Sequence, residues 1–327
     1  MYLTYRLAQV KDLSVGIPIA VERLTHLGDC RSEIQALSTE LIDSGMVVTV
    51  IIEDRDQDPD KRMAAIAIIF CANEEFAAFV KDPGRKPFLA RHAVDWWKKK
   101  RSISVSLEEF YREQSLEGSI FTCLLWGVDR QRYDHKEFLK IREQVSVAAQ
   151  ALGVTYRMKE YLEETYGQEE LTRLLTFGFV VYNDFDAAAA SKEDQERHPY
   201  LIGADFLAQR RADKPDRPET FVGKHVMLSR PRFGFTFREQ EVLRRALQGN
   251  SDEEIAEALG LTVIAIKNRW QGIYDRVRDV DADLFAEPED EEGGGGRAKQ
   301  RRRMLIQLLR EHPEELWPNA KAKASIQ

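Results

Sequence analysis

The sequence contains few cysteines and lacks the segments that mark export or membrane insertion. Cys30, Cys71 and Cys123 lie far apart and form no C-x-x-C pair, so we predict neither a disulfide framework nor a structural zinc. The opening MYLTYRLAQVKDL has no basic start followed by an apolar stretch, as a signal peptide would. No apolar run approaches the length of a membrane span. We therefore expect a cytoplasmic protein with no membrane partner.

An excess of positive charge is also missing. The 327 residues include 48 basic and 55 acidic side chains, for a net charge of −7. This balance excludes a globally basic nucleic-acid coat protein, so any contact with DNA must come from a local patch. An apolar content of 43% is enough for two domains with cores of their own.

We find no constellation of residues typical of a catalytic or metal site. The loop after residue 53 carries alternating aspartates but lacks the glycine and terminal glutamate of a calcium loop; these are Asp54, Asp56, Asp58 and Asp60. His135 beside Asp134 is interpreted as a surface histidine in a turn. No early acidic pair with a later acceptor aspartate indicates a phosphorelay receiver. The sequence predicts no catalytic residue, no metal and no cofactor.

The first 190 residues have the pattern of a mixed α/β domain. Runs that are apolar on both faces predict buried strands at 46–52, 63–71 and 120–127, and a last strand at 179–182. Helical spacing predicts helices at 32–43, 136–152, 158–166 and 169–175. We expect a connector at 191–231, a helical domain at 232–278, an acidic and glycine-rich linker at 279–296, and a basic helix with a tail at 297–327.

Three helices with clear start signals follow the connector. Thr236 and Ser251 are each followed three residues later by a glutamate, which predicts reciprocal capping boxes. Thr262 can cap the third helix. Gly249 and Gly260 predict where the first two helices end. A short helix, a glycine turn and a longer helix form the unit that places its second helix in a DNA major groove.

The amino-acid sequence of this segment resembles that of the LuxR-type helix-turn-helix domain. That family typically reads LTPREREVL, GLSNKEIAERLGIS and TVKNHRSRIYRKL. The matching stretches here are FTFREQEVL, GNSDEEIAEALGLT and AIKNRWQGIYDRV, without a gap between Phe235 and Val277. The resemblance implies a transcription regulator that binds double-stranded DNA, with residues 263–278 as the recognition helix.

The same resemblance implies a set of contacts to bases and phosphates. They would come from Thr236, Ser251, Thr262, Ala265, Lys267, Asn268, Arg269 and Gln271. The near-neutral charge of the segment suggests that a homodimer is needed. The basic helix after the glycines could dimerise while arginines touch phosphates, and the candidates are Arg297, Arg301, Arg302 and Arg303.

The order of elements in the first domain resembles the GNAT acyltransferase superfamily. VVTVIIED and MAAIAIIF correspond to its paired central strands, and CLLWGVDRQRYDHKEFLKIREQVSVAAQALGV to the strand and helix that hold acyl-coenzyme A. In that family a glycine-rich turn exposes backbone amides to the pyrophosphate. The corresponding turn RQRYDHKEF contains no glycine, which puts cofactor binding and catalysis in doubt.

Three functions therefore compete at this stage. The first is a transcription regulator whose α/β domain dimerises or senses a small-molecule effector. The second is a GNAT-type acyltransferase with an appended DNA-binding module. The third is a docking protein whose three helices bind another protein, which the near-neutral charge of that segment favours.

Overall fold

The chain divides into two compact units. The computed structural model describes residues 1–22, 25–185, 198–212, 217–228, 231–285 and 296–317. Unit 1 comprises residues 1–113, 117–153 and 158–227, and unit 2 comprises residues 114–116, 154–157 and 228–327.

A seven-stranded mixed sheet forms the centre of unit 1. Its strands are β1 (Leu3–Leu7), β2 (Val47–Asp54), β3 (Met63–Ala72), β4 (Ser119–Val128), β5 (Met158–Tyr166), β6 (Val180–Asp184) and β7 (Pro199–Asp205). Their spatial order is β1-β2-β3-β4-β5-β7-β6. The β4/β5 pair is parallel, and the other neighbouring pairs are antiparallel.

Helices cover both faces of this sheet. The helices that begin in unit 1 are α1 (Leu13–Val21), α2 (Arg31–Asp43), α3 (Glu74–Lys81), α4 (Leu89–Lys98), α5 (Leu107–Leu116), α6 (His135–Gly153), α7 (Gln168–Thr176), α8 (Phe206–Arg211) and α9 (Phe221–Val226). The main core lies between one face and α1 to α4. On the other face, α6 packs against β1 to β4 and α7 against β5.

The predicted apolar strands are confirmed. Every residue of β3 is buried, as expected for a strand covered on both faces. The two segments expected to pair, VVTVIIED and MAAIAIIF, form the antiparallel neighbours β2 and β3. The helix predicted at 136–152 is α6, whose buried positions recur at helical spacing. Together these elements form the mixed α/β domain expected from the sequence.

Two predictions for unit 1 are wrong. Residues 158–166, predicted as a helix, form the strand β5. Polar residues at this spacing usually mark the exposed face of a helix, but here glutamates lie buried in the sheet. The predicted connector at 191–231 contains β7, which pairs between β5 and β6. The packing of β7 against two neighbours outweighs a local composition rich in proline and charge. The described strand therefore belongs to the sheet.

The described residues of unit 2 are helical and contain no strand. The helices are α10 (Phe237–Leu247), α11 (Asp252–Leu259), α12 (Val263–Val280) and α13 (Gly296–Glu311). The predicted caps are confirmed: Thr236 and Ser251 form capping boxes, and Thr262 accepts a hydrogen bond from Ala265 N. Most of the acidic and glycine-rich segment, 286–295, lies outside the described residues, as does the tail after 317.

Unit 2 has its own apolar core. Ile255, Ile266, Ile273 and Val277 are buried together with Leu305 and Leu309 of α13. Trp270 also lies in this core, 5% exposed, and its Nε1 donates to Asp252 Oδ1 at 3.1 Å. Among the helices that the structure describes in either unit, none is both long enough and apolar enough to cross a membrane.

A fully buried imidazole contributes to the stability of unit 1. His225 is 0% exposed, and its ring packs 4.6 Å from that of Phe206. Its Nε2 accepts a hydrogen bond from Met158 N at 3.3 Å, so the ring is neutral at this nitrogen. Burial, with a smaller effect of Arg210, lowers the pKa of His225 to about 3.

We expect acidification to destabilise unit 1 through His225. The unfolded imidazole binds a proton below about pH 6.5, whereas the folded one does not until about pH 3. The free energy of unfolding should therefore fall as the pH is lowered through this window. Urea unfolding between pH 8 and 5 measures the slope. His225→Phe should flatten it, and His135→Phe, at an exposed ring, should not; equal slopes in both variants would contradict the assignment.

Candidate functional site

The parallel strands β4 and β5 separate halfway along their length. Their pairing begins at Ser119 and Met158 and stops at Cys123 and Glu163. Beyond that point β4 continues only with β3, and β5 only with β7. Leu124 is the extra residue of a β-bulge, because Leu125 pairs with Ile68 and Cys123 with Ile69. A bulge bends its strand and increases the local twist, which turns β4 away from β5.

A cleft of about 400 Å³ occupies the gap between the separated strands. Its walls are the strand ends 123–128 and 164–166, with residues contributed from both faces of the sheet. From the α1–α4 face come apolar side chains, namely Ile19, Ala20, Leu27, Leu89 and Ala90. From the α6 face come charged and aromatic side chains, namely Arg130, His135, Phe138, Arg142, Glu169 and Glu170. The cleft thus has one apolar and one polar side.

Close backbone packing fixes the apolar side. A Cβ atom at Gly127 would lie 2.6 Å from the Cα of Ala20 and 2.9 Å from the carbonyl oxygen of Ile19. Only glycine at this position allows the backbone of α1 to approach β4 so closely. The end of α1 is therefore held against the strand that forms the cleft wall.

Glu164 on β5 is a buried carboxylate whose oxygens are fully engaged. Arg85 donates to its Oε2 at 3.0 Å, and both side chains are almost completely buried. Its Oε1 accepts from the backbone N of Phe88 at 2.6 Å and from the hydroxyl of Tyr166. Phe88 has the left-handed backbone conformation (φ 83°), which is uncommon for a residue with a side chain. Glu164 therefore anchors the start of α4 to the cleft and has little capacity left for a ligand.

Thr165, the next residue of β5, offers an unused hydroxyl in the same wall. The residue is 2% exposed, and its Oγ1 has no hydrogen-bond partner among the described residues. A buried polar atom without a partner is costly, so such atoms call for an explanation. In a cleft wall, a ligand that hydrogen-bonds to Oγ1 is one.

The start of α6 borders the polar side and is capped by carboxylates. Asp134 Oδ1 accepts from Glu137 N at 2.8 Å, and Glu137 Oε2 accepts from Asp134 N at 3.1 Å. Arg130 stacks on the ring of Phe138, with its guanidinium carbon 3.6 Å from the ring centroid. Arg142 is paired with Glu169 at 3.0 Å and with Glu170 at 3.2 Å.

A second buried glutamate lies beside the cleft. Glu163 Oε2 accepts from the hydroxyl of Tyr161 at 2.8 Å. Burial raises the pKa of Glu163 to about 7, against the opposing effect of the Tyr161 hydrogen bond. The adjacent Cys123 thiol and Tyr161 hydroxyl also have raised pKa values, mainly because both are buried. Glu163 is therefore a carboxyl group that titrates near neutral pH inside the sheet.

The residues predicted to contact DNA lie in unit 2. The hydroxyls of Thr236, Ser251 and Thr262 cap their own helices. Lys267 and Asn268 are exposed, and Ala265 and Arg269 are half-buried. Burial lowers the pKa of Arg269, with a further contribution from Arg238. Gln271 Nε2 donates to Asp275 Oδ1 at 2.9 Å.

The arginines predicted to contact phosphates lie in different environments. Arg302 is engaged within unit 2: its NH1 lies 2.7 Å from Asp252 Oδ1, and its guanidinium stacks on Trp270 at 4.6 Å. Arg301 is half-buried and Arg303 is exposed. The side chain of Arg297 lies outside the described residues.

Comparison with known proteins gives only distant likenesses. No family model matches the chain, and no curated protein matches it. The C-terminal condensation domain of Ebony in complex with beta-alanyl-dopamine shares 9% identity, covering 63% of this chain and 99% of its own, at a TM-score of 0.40. The structure of histone acetyltransferase HPA2 and related acetyltransferase from Corynebacterium glutamicum shares 10% identity with this chain. The match covers 67% of this chain and 100% of the other, with a TM-score of 0.36. Drosophila melanogaster polyamine N-acetyltransferase shares 10% identity, covering 62% and 100%, at 0.33.

These likenesses are too low to assign a family or an activity. The seven-stranded sheet of unit 1 confirms the mixed α/β domain expected from the sequence.

The prediction of a LuxR-type, DNA-binding transcription regulator is wrong. No family model matches the helical segment, and the similar structures are acetyltransferases and a condensation domain rather than transcription regulators. Side chains expected on DNA also have other partners, since Arg302 pairs with Asp252 and Gln271 with Asp275. The homodimer and the small-molecule effector stay predictions.

The residues of β5 that build the cleft were not predicted from the sequence. Glu163, Glu164 and Thr165 lie in the segment that was assigned to a helix, so their positions on alternate faces of a strand were hidden. The available signal was the presence of β-branched and aromatic residues typical of a strand, namely Tyr161, Thr165 and Tyr166. Within the described ranges, no group of three or more His, Cys, Asp and Glu side chains is placed to hold a metal ion.

We expect the two adjacent glutamates to affect stability in opposite ways. The raised folded pKa of Glu163 means that its contribution to stability is present below about pH 4.5 and is lost as the pH rises through about 7. Glu163→Gln cannot ionise, so its stability relative to the wild type should increase from pH 5 to pH 8. Glu164→Gln should instead lower the free energy of unfolding by about 3 kcal/mol, because Arg85 is left unpaired in the interior.

Urea unfolding at pH 5 and pH 8 measures both effects. A Glu163→Gln variant whose stability relative to the wild type is the same at both pH values would contradict the buried, titrating carboxyl.

Proposed function

We propose that unit 1 is a GNAT-type acyltransferase domain whose cleft binds an acyl thioester. The single observation that carries this proposal is the separation of β4 from β5 at the Leu124 bulge. Two separated strands leave backbone N–H and C=O groups facing the gap, and an extended chain that carries amides can pair with such edges. The pantetheine arm of an acyl thioester is such a chain.

The residues of the cleft fit this arm. Its apolar methylenes match the side formed by Leu89 and Ala90. The unused hydroxyl of Thr165 can donate to an amide carbonyl of the arm or accept from an amide N–H. The volume of about 400 Å³ lies within the range of small-molecule sites.

The bound thioester would supply the acyl group for the transfer. A nucleophile on the acceptor forms a bond to the thioester carbonyl carbon, the carbon–sulfur bond breaks, and the proton of the nucleophile passes to the leaving sulfur. The chain contributes by holding the donor in the gap and by directing backbone N–H groups of the separated strands at the carbonyl oxygen, where negative charge develops. Glu164 acts as a positioning residue, because it fixes Leu89 at the cleft wall.

Two threonines provide a matched test of donor binding. We expect Thr165→Val to weaken the binding of acetyl-coenzyme A by about 3- to 10-fold, the effect of losing one net hydrogen bond. Thr122→Val removes an equally buried and unpartnered hydroxyl on β4, outside the cleft lining, and should leave binding unchanged. Neither substitution breaks a hydrogen bond within the described residues, so both variants should fold.

Isothermal titration calorimetry of the full chain with acetyl-coenzyme A measures this difference. Absence of any saturable binding at millimolar acetyl-coenzyme A would contradict the proposal. Equal weakening of binding in both variants would show that the hydroxyl of Thr165 does not contact the donor.

A further inference from the structure

We propose that the donor of this cleft is a thioester whose pantetheine arm ends in a single phosphate, and that the start of α6 holds no nucleotide pyrophosphate. This inference rests on the proposed acyl-donor function and specifies the chemical class of the donor. It is carried by the way in which the first turn of α6 and the loop before it use their polar groups.

Two carboxylates, those of Asp134 and Glu137, cap the start of α6 and oppose the binding of an anion there. A helix N-terminus binds a phosphate when its backbone N–H groups are bare. Here the N–H of Glu137 is already donated to Asp134, and the carboxylate of Glu137 reaches back to the N–H of Asp134. A pyrophosphate at this place would have to displace a hydrogen-bonded cap and lie against two carboxylates. Like charges at hydrogen-bond distance oppose binding.

The loop before α6 is also committed to internal contacts. Arg132 is an exposed residue, but its guanidinium donates hydrogen bonds within the protein. The acceptors are the carboxylate of Asp129 and the backbone carbonyls of Lys61 and Met63, at the connection between β2 and β3. This fork ties the loop to the hairpin and uses the arginine that a pyrophosphate could otherwise recruit. Asp129 Oδ1 also accepts from Arg132 N, at 3.3 Å.

Arg130 is the cation that the cleft retains for a phosphate. Its guanidinium carbon lies 3.6 Å from the centroid of the Phe138 ring, a contact that does not use the N–H donors of the arginine. It lines the cleft, and the described residues give it no carboxylate partner. By contrast, Arg142 in the same wall is held by two glutamates. One unpaired guanidinium suits one phosphate, since arginine binds phosphate through two parallel N–H···O bonds.

A phosphopantetheine arm supplies this combination of groups. Its amides and methylenes would occupy the gap between β4 and β5, and its terminal phosphate would meet Arg130. The same arm can be free or attached through a phosphodiester to a carrier protein. In both cases the phosphate is present and the adenosine pyrophosphate is not.

Three synthetic donors test the inference by calorimetry on the full chain. Acetyl-phosphopantetheine should bind at least as tightly as acetyl-coenzyme A, because the nucleotide adds no contact and its pyrophosphate would lie against the carboxylates of Asp134 and Glu137. Acetyl-pantetheine, which lacks the phosphate, should bind roughly 10-fold more weakly. Arg130→Gln should remove the difference between the phosphorylated and unphosphorylated arms. Binding of acetyl-coenzyme A that is more than about 10-fold tighter than that of acetyl-phosphopantetheine would overturn the inference.

A capping-box exchange provides a second, independent measurement. The double variant Asp134→Ser, Glu137→Gln keeps reciprocal capping but removes both negative charges. It should therefore fold with an unchanged thermal midpoint, while its affinity for acetyl-coenzyme A increases relative to acetyl-phosphopantetheine. An unchanged ratio of the two affinities would show that the carboxylates do not exclude the nucleotide and would overturn the inference.

Competition between donors distinguishes a free phosphopantetheine arm from one attached to a carrier protein. Displacement of free acetyl-phosphopantetheine by an acetyl-loaded acyl carrier protein would identify the carrier as the source, and no displacement would identify the free arm. Failure of all three donors to bind would end the proposed acyl-donor function itself. Preference for the complete coenzyme would overturn only the further inference.

Discussion

The loss of pairing between β4 and β5 is the constraint on which the cleft depends. A parallel pair in the middle of a sheet normally continues along both strands, because unpaired backbone groups in an interior are costly. Here the pairing stops at Cys123 and Glu163, and the Leu124 bulge directs β4 toward β3. Each strand keeps its outer neighbour, so the sheet tolerates the gap. The cost of the exposed edges is confined to one place, where an extended ligand can offset it.

Neighbouring residues of β5 show how a strand gives similar side chains different chemistry. Successive side chains of a strand point to opposite faces. Glu164 meets Arg85 and the start of α4, so it is held as an ion pair. Glu163 faces Tyr161 and an environment in which burial is the largest effect, so its pKa is raised to about 7. Thr165 follows on the face of Glu163, lines the cleft, and has a buried hydroxyl without a hydrogen-bond partner among the described residues.

Local signals in the sequence were sufficient for part of this structure. Helix caps at Thr236, Ser251 and Thr262 depend on residues within one turn, and they form as expected. The all-apolar run of β3 allowed only a buried element. In contrast, β5 carries glutamates at spacings that also suit a helix, and only the arrival of Arg85 and of β7 from distant parts of the chain makes them buried strand residues. Because β5 forms one wall of the cleft, the cleft could not be predicted once this segment was assigned to a helix.

Helix capping and anion binding compete for the same backbone groups. The first N–H groups of a helix are unsatisfied by the helix itself, and either a side chain or a bound anion can take them. A glycine-rich turn supplies no side chain and leaves them to a ligand. In this chain two of these groups are taken by side chains, because Asp134 accepts from the N–H of Glu137 and Glu137 accepts from the N–H of Asp134. This reciprocal cap stabilises the start of α6 in the absence of any ligand. The edges of β4 and β5 face the gap without a pairing strand, whereas two carboxylates already hold the helix start. Under the proposed function, recognition of the donor would therefore depend on the strand edges and on Arg130, whose guanidinium lies over Phe138.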